Sequence, residues 1–372
     1  MKESPLRDDP PEEAERPSIK PPEGSEAILP EPGTLFESNP VSLEVLGELK
    51  NQNILEAGQF TFEQVTELCK LAAVLEKLEI WPYHPLDGKI AVTAFFEAST
   101  RTRTSFESAI LRLDGKVISI ADGSTTGQAK GESLADIGEM FNAYADCVIM
   151  RHTETTAPEE MLQNLRIPLI NAGNGSGEHP TQALADWFAL LKWKPALAAP
   201  CVNDSEKMNL GILGTPGSMR AVKSFLLMSL LFQDHIRKVT VISEMADPFG
   251  EDVIQCLTDA NIDYEVSNDV REHLPALDVI YMNSIAFLGD SYKNMDSRFK
   301  LNSESPIKES AVILHPMARL GELDTSLDKT PHNLYFSQAH GAVFIRQALL
   351  LAVLDRLGPL ENMINLESNK NS

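Results

Sequence analysis

The stretch Lys89–Arg103, KIAVTAFFEASTRTR, decides the fold of the region around it. Lys89–Phe96 is a largely apolar run of strand length, which is typical of a buried strand in a parallel sheet. Ser99 then has the position and chemistry of a helix N-cap, and we predict a helix from there to about Leu113. A strand that passes directly into a helix is the unit from which parallel α/β sheets are built.

The same alternation of strand and helix continues on both sides of this stretch. Further helices are predicted at Phe60–Leu75, Thr181–Trp193, Met219–Phe232 and Gly341–Leu357. Further strands are predicted at Lys116–Ala121, Asp146–Met150, Pro168–Ala172, Met208–Leu213, Lys238–Ser243, Asp263–Val266, Val279–Met282 and Val312–Leu314. This rhythm favours an α/β protein with two doubly wound parallel sheets, each covered by helices on both faces.

The length of 372 residues suggests two domains, and the composition suggests where they end. Residues 1–40 contain nine prolines and ten acidic residues, so we expect a disordered or loosely attached tail, either a solvated leader or a partner-binding segment. We place a first domain at 41–194 and a second at 195–340. The boundary lies at the start of Lys194–Lys207, which carries two prolines and a polar run.

Charge and cysteine usage exclude several classes of protein. The formal net charge of −22 argues against a nucleic-acid partner. Four cysteines lie far apart without a CxxC pair, which fits a reducing compartment, and we expect a cytoplasmic protein. No apolar run is long enough to span a bilayer, so no membrane partner is expected. The eight histidines lack metal-ligand spacing, and no metal or cofactor is predicted.

The cations concentrate where the quoted strand turns into a helix. Ser99, Thr100, Arg101 and Thr102 open that helix, where backbone N–H groups lack internal partners and the helix dipole is positive. Hydroxyls and a guanidinium at such an end form a pocket suited to a phosphate group. The plainer alternative is a Ser-capped helix with exposed arginines.

The motifs along the chain resemble the aspartate/ornithine carbamoyltransferase family, in its aspartate-type form. FFEASTRTR is similar to the carbamoyl-phosphate signature of that family. Five further motifs follow in family order: GESLAD (131–136), MRH (150–152), NAGNGSGEHPTQALAD (171–186), LHPMAR (314–319) and QALLLAVL (347–354). The resemblance covers about residues 40–358. It implies two domains joined by interdomain helices, with the C-terminal helix, 341–358, packing back on the first domain.

The resemblance also implies a reaction, a pathway and site residues. Family members transfer a carbamoyl group from carbamoyl phosphate to an amine, and the aspartate-type branch serves pyrimidine biosynthesis. Ser99, Thr100, Arg101 and Thr102 match the phosphate ligands, and Arg151 matches a residue that reaches phosphate and carbonyl oxygen. His179 and Gln182 match the contacts to the carbonyl oxygen and carbamoyl nitrogen. Arg101, Arg151, His179 and Lys130 are the expected catalytic residues.

Lys130 lies in the polar loop STTGQAKGE, which in the family reaches into the active site of a neighbouring subunit. Lys130 matches the lysine of that loop, and Thr126 stands where a serine is expected. The family's catalytic unit is a homotrimer, and the resemblance implies the same assembly here, with active sites shared between subunits. The alternative is an exposed surface loop. No motif indicates whether a regulatory chain exists.

The second substrate is less clearly encoded. Arg220 matches the arginine that holds the α-carboxylate of aspartate. Ser284 and Ala286 stand where an arginine and a glutamine would read the side-chain carboxylate, and Pro316 and Met317 lie in an altered LHPLPR loop. Ser284 cannot balance a buried carboxylate. Either another cation, such as Arg298 or Lys293, replaces these readers, or the acceptor is a different amine.

Two other classes remain open at this point. Gly211–Gly217 has the spacing GxxGxxG after a predicted strand, a loose relative of the dinucleotide fingerprint, so a nucleotide-dependent oxidoreductase is one alternative. Pro216 removes an N–H that a pyrophosphate would use. A non-catalytic family member that only binds carbamoyl phosphate is the other.

Overall fold

The computed structural model describes residues 30–37, 39–77, 83–199, 203–283 and 299–361. Its first sheet has four strands: β1 (Ile90–Phe95), β2 (Lys116–Ile120), β3 (Cys147–His152) and β4 (Leu169–Asn174). All pairings are parallel, and the spatial order is β2-β1-β3-β4. The central strand β1 is the apolar run that the sequence identified, and its residues from Ala91 onward are buried.

Helices cover both faces of this sheet. They are α1 (Leu43–Gly47), α2 (Phe62–Lys77), α3 (Thr100–Arg112), α4 (Leu134–Tyr144), α5 (Ala157–Leu162) and α6 (Pro180–Trp193). Successive side chains of β1 point to opposite faces of the sheet, so the strand packs against the helices on both faces. Val92 and Ala94 pack among residues of α4 and α5, whereas Ala91 and Phe95 join the larger cluster that contains α2, α3 and α6.

The second sheet has five parallel strands in the order β7-β6-β5-β8-β9. They are β5 (Met208–Leu213), β6 (Ile236–Ile242), β7 (Tyr264–Ser267), β8 (Val279–Met282) and β9 (Val312–Leu314). The remaining helices are α7 (Arg220–Ser229), α8 (Glu251–Asp259), α9 (Val270–His273) and α10 (Tyr335–Val353). The prediction of two parallel α/β sheets is confirmed.

Packing between helices joins the halves. α6 of the first half packs on α7 of the second, and α10 returns to pack on α2, α3 and α6. Most residues of α10 are buried, which explains why its sequence is apolar on nearly every side of the helix. The predicted return of the C-terminal helix to the first domain is confirmed.

The strand order places the functional cavity. In the first sheet the chain leaves β1 for β2 on one side and then crosses to β3 on the other, so the strand order reverses between β1 and β3. In the second sheet it reverses between β5 and β8. Ligands of doubly wound proteins bind beyond the carboxyl ends of the strands at such reversals. Here both reversals open toward a single cleft between the sheets.

Several predicted boundaries were wrong. The helix predicted at Met219–Phe232 ends at Ser229 and continues as a 3-10 segment, Leu230–His235, in which Phe232 departs from helical geometry. The last helix begins at Tyr335 rather than Gly341, because tertiary packing extends it beyond the apolar run. It ends at Val353 rather than Leu357, since Leu354 already departs from helical geometry.

The expected loose tail also needs correction where it is described. Pro32–Leu35 is a 3-10 turn, and Leu35 and Phe36 are buried beside α2. Their apolar area stabilises this short segment despite the surrounding prolines and acids. Residues 1–29 and 38 lie outside the described residues. Within the described ranges, no helix has the length and apolarity needed to cross a membrane.

Candidate active site

A cavity of about 900 Å³ lies between the carboxyl ends of the two sheets. Its walls come from the segments that follow β1, β4, β5, β8 and β9, from Arg151 near the end of β3, and from α10. The sequence-predicted residues that line it are Ser99, Thr100, Arg101, Thr102, Arg151, His179, Gln182, Arg220, Pro316 and Met317. Residues that are up to 218 positions apart in the sequence, from Ser99 to Met317, therefore share one cleft.

The amino-terminal end of α3 forms one end of this cavity. Ser99 is the N-cap in extended conformation, but its hydroxyl makes no capping hydrogen bond. Arg101 is exposed to the cleft, and no side chain in the described ranges hydrogen-bonds to its guanidinium. Hydroxyls, a free guanidinium and unpaired helix N–H groups thus converge where an anion would be stabilised.

On the opposite wall of the cavity, the Glu97 carboxylate accepts hydrogen bonds from both Arg151 and Arg220. Nε and Nη2 of Arg151 each donate to the Glu97 carboxylate over 3.1 Å, and Nη2 of Arg220 donates to Oε1 over 3.0 Å. Burial favours the neutral acid, but the hydrogen bonds from Arg220 and Arg151 outweigh it and lower the pKa of Glu97. Because Arg220 belongs to the second sheet's first helix, this carboxylate ties the two halves together at the cavity.

His179 is held as a neutral imidazole between these cations. Burial lowers its pKa well below 6.5, and the positive charges of Arg151, Arg346 and Arg220 lower it further. The Thr181 hydroxyl lies 3.4 Å from Nδ1 and can donate to it. In that tautomer Nε2 carries the proton and can donate to an oxygen in the cavity.

The backbone of His179 is anchored to the second half. Its N–H donates to the Ser224 hydroxyl over 2.8 Å, and that hydroxyl donates to Glu178 Oε2 over 3.0 Å. Glu178 Oε2 also accepts from the backbone N–H of Ala57 over 2.7 Å. Burial raises the pKa of Glu178 despite these bonds. The turn that carries His179 is therefore fixed from both sides.

Gln182 rests on a buried carboxylate. Its Nε2 donates to Asp186 Oδ1 over 2.7 Å, and Gln338 Nε2 donates to the same oxygen over 2.5 Å. Gln338 Oε1 in turn accepts from the backbone N–H of His315 over 2.8 Å. Burial raises the pKa of Asp186 to about 7, against the lowering by its hydrogen bonds. This chain of bonds joins α6, α10 and the loop that contains Pro316 and Met317.

Arg346 brings a second buried cation to the cavity wall from α10. Its Nη1 donates to the Ser105 hydroxyl, and its guanidinium lies 4.7 Å from the Phe106 ring centroid. Its Nε is buried without a hydrogen-bond partner in the described part of the chain. Burial lowers the pKa of Arg346 to about 9. The cavity thus has a positive interior although the protein carries a large negative net charge.

Two predicted site residues within the described ranges, Thr126 and Lys130, are not brought to this cavity. Thr126 lies between two short 3-10 turns, Gly123–Thr125 and Gly127–Lys130, and Lys130 ends the second of them. Lys130 is exposed, and neither side chain lines the cleft. Thr126 instead donates to the Gly123 carbonyl over 2.7 Å. Ser284 and Ala286, and the candidate substitutes Lys293 and Arg298, lie outside the described residues.

Comparison with known proteins decides the family. The carbamoyl-P binding domain of aspartate/ornithine carbamoyltransferase matches residues 52–192, and the Asp/Orn binding domain matches residues 206–353. The chain belongs to the aspartate/ornithine carbamoyltransferase family. As a member of this family it is a carbamoyltransferase. Membership decides against the oxidoreductase alternative, and the N–H of Gly217 in the GxxGxxG turn already donates to the Pro248 carbonyl over 2.8 Å.

Several similar proteins carry the name aspartate carbamoyltransferase or aspartate transcarbamoylase. The aspartate carbamoyltransferase catalytic subunit of Clostridium kluyveri is 31% identical over 312 residues, covering 82% of this chain and 99% of the relative. That of Alkaliphilus oremlandii is 33% identical over 316 residues, covering 83% and 92%. Aspartate transcarbamoylase from Trypanosoma cruzi, in complex with carbamoyl aspartate and phosphate, superposes with a TM-score of 0.73 at 28% identity, covering 84% and 100%. The same enzyme in complex with carbamoyl phosphate and aspartate gives 0.72 at 28% identity, covering 83% and 97%.

Sequence reasoning missed several residues of the site. Glu97 was part of the quoted motif but had no assigned role, although a carboxylate next to a phosphate pocket signals a need for cationic partners. Arg346 is a single cation in an apolar helix, which is a signal that was available. Asp186 and Gln338 meet across 152 positions of sequence, and no local pattern predicts that contact.

Proposed function

We propose that this chain transfers the carbamoyl group of carbamoyl phosphate to the α-amino group of L-aspartate, giving N-carbamoyl-L-aspartate and phosphate, a step of pyrimidine biosynthesis. The observation that carries the proposal is the cavity in which the Arg101 end of α3 faces Arg151, His179 and Arg220. One end of the cavity suits a phosphate, and the other offers an arginine to a carboxylate.

The geometry supports an order of contacts along the cavity. The phosphate is held by the N–H groups and hydroxyls that open α3 and by Arg101. The carbonyl oxygen accepts from His179 Nε2 and Arg151, which stabilise the negative charge that develops on it. The α-carboxylate of the amino acid pairs with Arg220, which still has N–H groups free after its bonds to Glu97 and the Gly175 carbonyl.

The transfer then needs few further groups. The amine nitrogen attacks the carbonyl carbon, a C–N bond forms, and the bond from that carbon to the phosphate oxygen breaks. The departing phosphate takes the amine proton, so no separate protein base is required. Positioning of two bound reactants can supply roughly 7–11 kcal/mol of the barrier reduction.

A different amine acceptor is the second candidate, and a specific observation favours it. Among the described lining residues that follow the strands of the second sheet, Arg220 is the only Lys or Arg side chain. The others are Ser218, Met219, Ala221, Asn283, His315, Pro316 and Met317. A second carboxylate on the substrate therefore finds no Lys or Arg other than Arg220 among the described residues of this wall. The acceptor would then be recognised through its α-carboxylate alone.

An amine screen tests these two candidates. Carbamoyl phosphate is offered with aspartate, ornithine and a panel of other amines, and phosphate release is measured. We expect aspartate to give the highest rate. A bisubstrate analogue that joins a phosphonate to aspartate should then bind tightly, whereas millimolar binding together with a faster alternative amine would support the second candidate. Phosphate release with none of the amines would contradict both.

We further propose that the enzyme is a homotrimer in which Lys130 and Thr126 complete the site of a neighbouring subunit. The exposed position of Lys130, away from its own cavity, supports this. Mixing inactive Lys130→Ala subunits with inactive Arg101→Ala subunits should restore activity, because some sites then combine two intact halves. No recovery after verified subunit exchange would contradict a shared site. The cytoplasmic location stays a prediction.

A further inference from the structure

Asp186 is a buried carboxylate that lies one turn of α6 beyond Gln182. It has no exposed surface, and it does not line the cavity. Its Oδ1 accepts from the side-chain amides of Gln182 and Gln338 at 2.7 and 2.5 Å. Such close hydrogen bonds to a carboxylate are among the stronger ones in proteins.

The contact determines which end of the Gln182 amide is free. An amide has its oxygen and nitrogen on opposite branches of one plane, and the Gln182 nitrogen is occupied by Asp186. Gln182 lines the cavity, and its Oε1 has no hydrogen-bond partner in the described part of the molecule. One N–H of this amide is used by Asp186, and the free oxygen offers the cavity an acceptor at this position.

We infer that Asp186 is a positioning residue that holds the Gln182 amide with its oxygen toward the acyl group, so that the site selects an acyl phosphate whose acyl carbon carries an N–H donor. This inference rests on the proposed function. An acyl group with a methyl in that place would leave Gln182 Oε1 without a partner in a water-poor cavity. Sites built to hydrogen-bond one group reject the analogue that lacks it.

A purely structural role for Asp186 makes a different prediction. In that case its loss would weaken all ligands together, because the α6 and α10 contact through Gln338 would loosen. In the positioning role its loss reduces the preference for the amide through Gln182, whatever follows from the lost bond to Gln338. A double-mutant cycle between the two residues separates these possibilities.

The experiment compares two stable phosphonates that differ in a single group. Phosphonoacetamide carries an amide NH₂ where acetonylphosphonate carries a methyl, and neither can transfer its acyl group. Binding of each to the wild-type protein, Gln182→Leu, Asp186→Leu and the double variant is measured by titration calorimetry. We expect the wild type to prefer the amide by about tenfold or more. Each single variant should reduce this preference to about twofold or less, and the double variant should reduce it no further.

Inorganic phosphate serves as the control ligand for the folded site. Its binding should be retained in all variants, since the end of α3 is untouched. A preference that survives in Asp186→Leu, or that falls additively in the double variant, would overturn the inference. Should Asp186→Leu fail to fold, Asp186→Ala provides the same comparison with a smaller side chain. Failure of carbamoyl phosphate as the substrate is distinguishable, because the wild type would then bind neither phosphonate; the identity of the amine acceptor is tested separately by the amine screen.

Discussion

The two halves of the cavity are built from the same local unit, a central strand that turns into a helix, but they use it differently. In the first half the turn after β1 presents Arg101, whose guanidinium has no partner in the described residues. In the second half the turn after β5 presents Arg220, which is already bonded to Glu97 and to the Gly175 carbonyl. The first turn is ready for a highly charged anion. The second turn is bonded to the first half through the Glu97 carboxylate. The position of Arg220, which we expect to bind the amino acid, therefore depends on both sheets.

The largest effect is expected for Arg101→Ala, which tests whether the free arginine is functional. Two or three charge-assisted hydrogen bonds to phosphate would be lost, at roughly 1.5–3 kcal/mol each, so kcat/KM should fall by about a thousandfold or more. The melting temperature should hardly change, because the side chain has no described partner. Steady-state kinetics and thermal unfolding measure both.

Arg103→Ala is the matched control on the same helix. Its guanidinium is bonded to Glu107 and to the Ser119 hydroxyl, and it does not line the cavity. Activity should stay within a few fold of the wild type. Equal losses in both variants, or a tenth of the activity retained in Arg101→Ala, would contradict the role of the first turn.

Glu97→Gln tests the link between the two turns. The neutral amide cannot balance two guanidinium groups, so Arg151 and Arg220 should lose their fixed positions. We expect kcat/KM to fall by about 10- to 100-fold, with weaker binding of the amino acid as well as of carbamoyl phosphate. Glu107→Gln, which alters the ion pair with Arg103 on α3 and does not touch the cavity lining, is the control. Unchanged KM values for both substrates in Glu97→Gln would show that the two ends act independently.

Ser224→Ala tests how firmly the second half holds the turn of His179. The variant removes the acceptor of the His179 N–H and one donor to Glu178, which are buried, so stability should fall by about 1–3 kcal/mol. Ser229→Ala on the same helix removes only a bond to the Phe225 carbonyl of its own helix, and a smaller loss is expected. Denaturant titration measures both. A larger loss in Ser229→Ala would argue against the interdomain contact.

The smallest expected effect is on the pH dependence of stability, through the neutral imidazole of His179. The pKa of His179 lies well below 6.5 in the folded protein but near 6.5 in the unfolded chain, so the unfolded chain binds a proton first as pH falls. The stability that His179 contributes is therefore complete above pH 6.5 and declines below it, by at most about 1.4 kcal/mol per pH unit. His179→Asn should lack this component when unfolding free energies are compared from pH 7.5 to 5.5. A parallel decline in both proteins would mean that the folded imidazole is protonated too.

Local features of the fold were predictable because short stretches encode them. The limits of β8 and β9 agree with the prediction, and Ser99 is the N-cap of α3 as expected. Boundaries failed where packing overrides local preference, as at the start of α10. Short helices such as α1 and α9 have too few residues for an amphipathic pattern to identify them. Which residue would read a second carboxylate stays a prediction, since Ser284 and Ala286 are not described.

The sequence by itself determined the alternation of strands and helices and the anion pocket at α3, because a strand, a turn and a helix start occupy one continuous stretch of chain. It also placed Arg151, His179 and Arg220 after strand ends, which parallel sheets bring to the same edge. Only the tertiary structure decided that Glu97 pairs with both arginines, that Asp186 supports Gln182, and that Arg346 reaches the cavity from α10. Those contacts depend on how the two sheets and the returning helix α10 pack against one another. Because the contacting residues are far apart in the chain, no local sequence pattern indicates that they will meet.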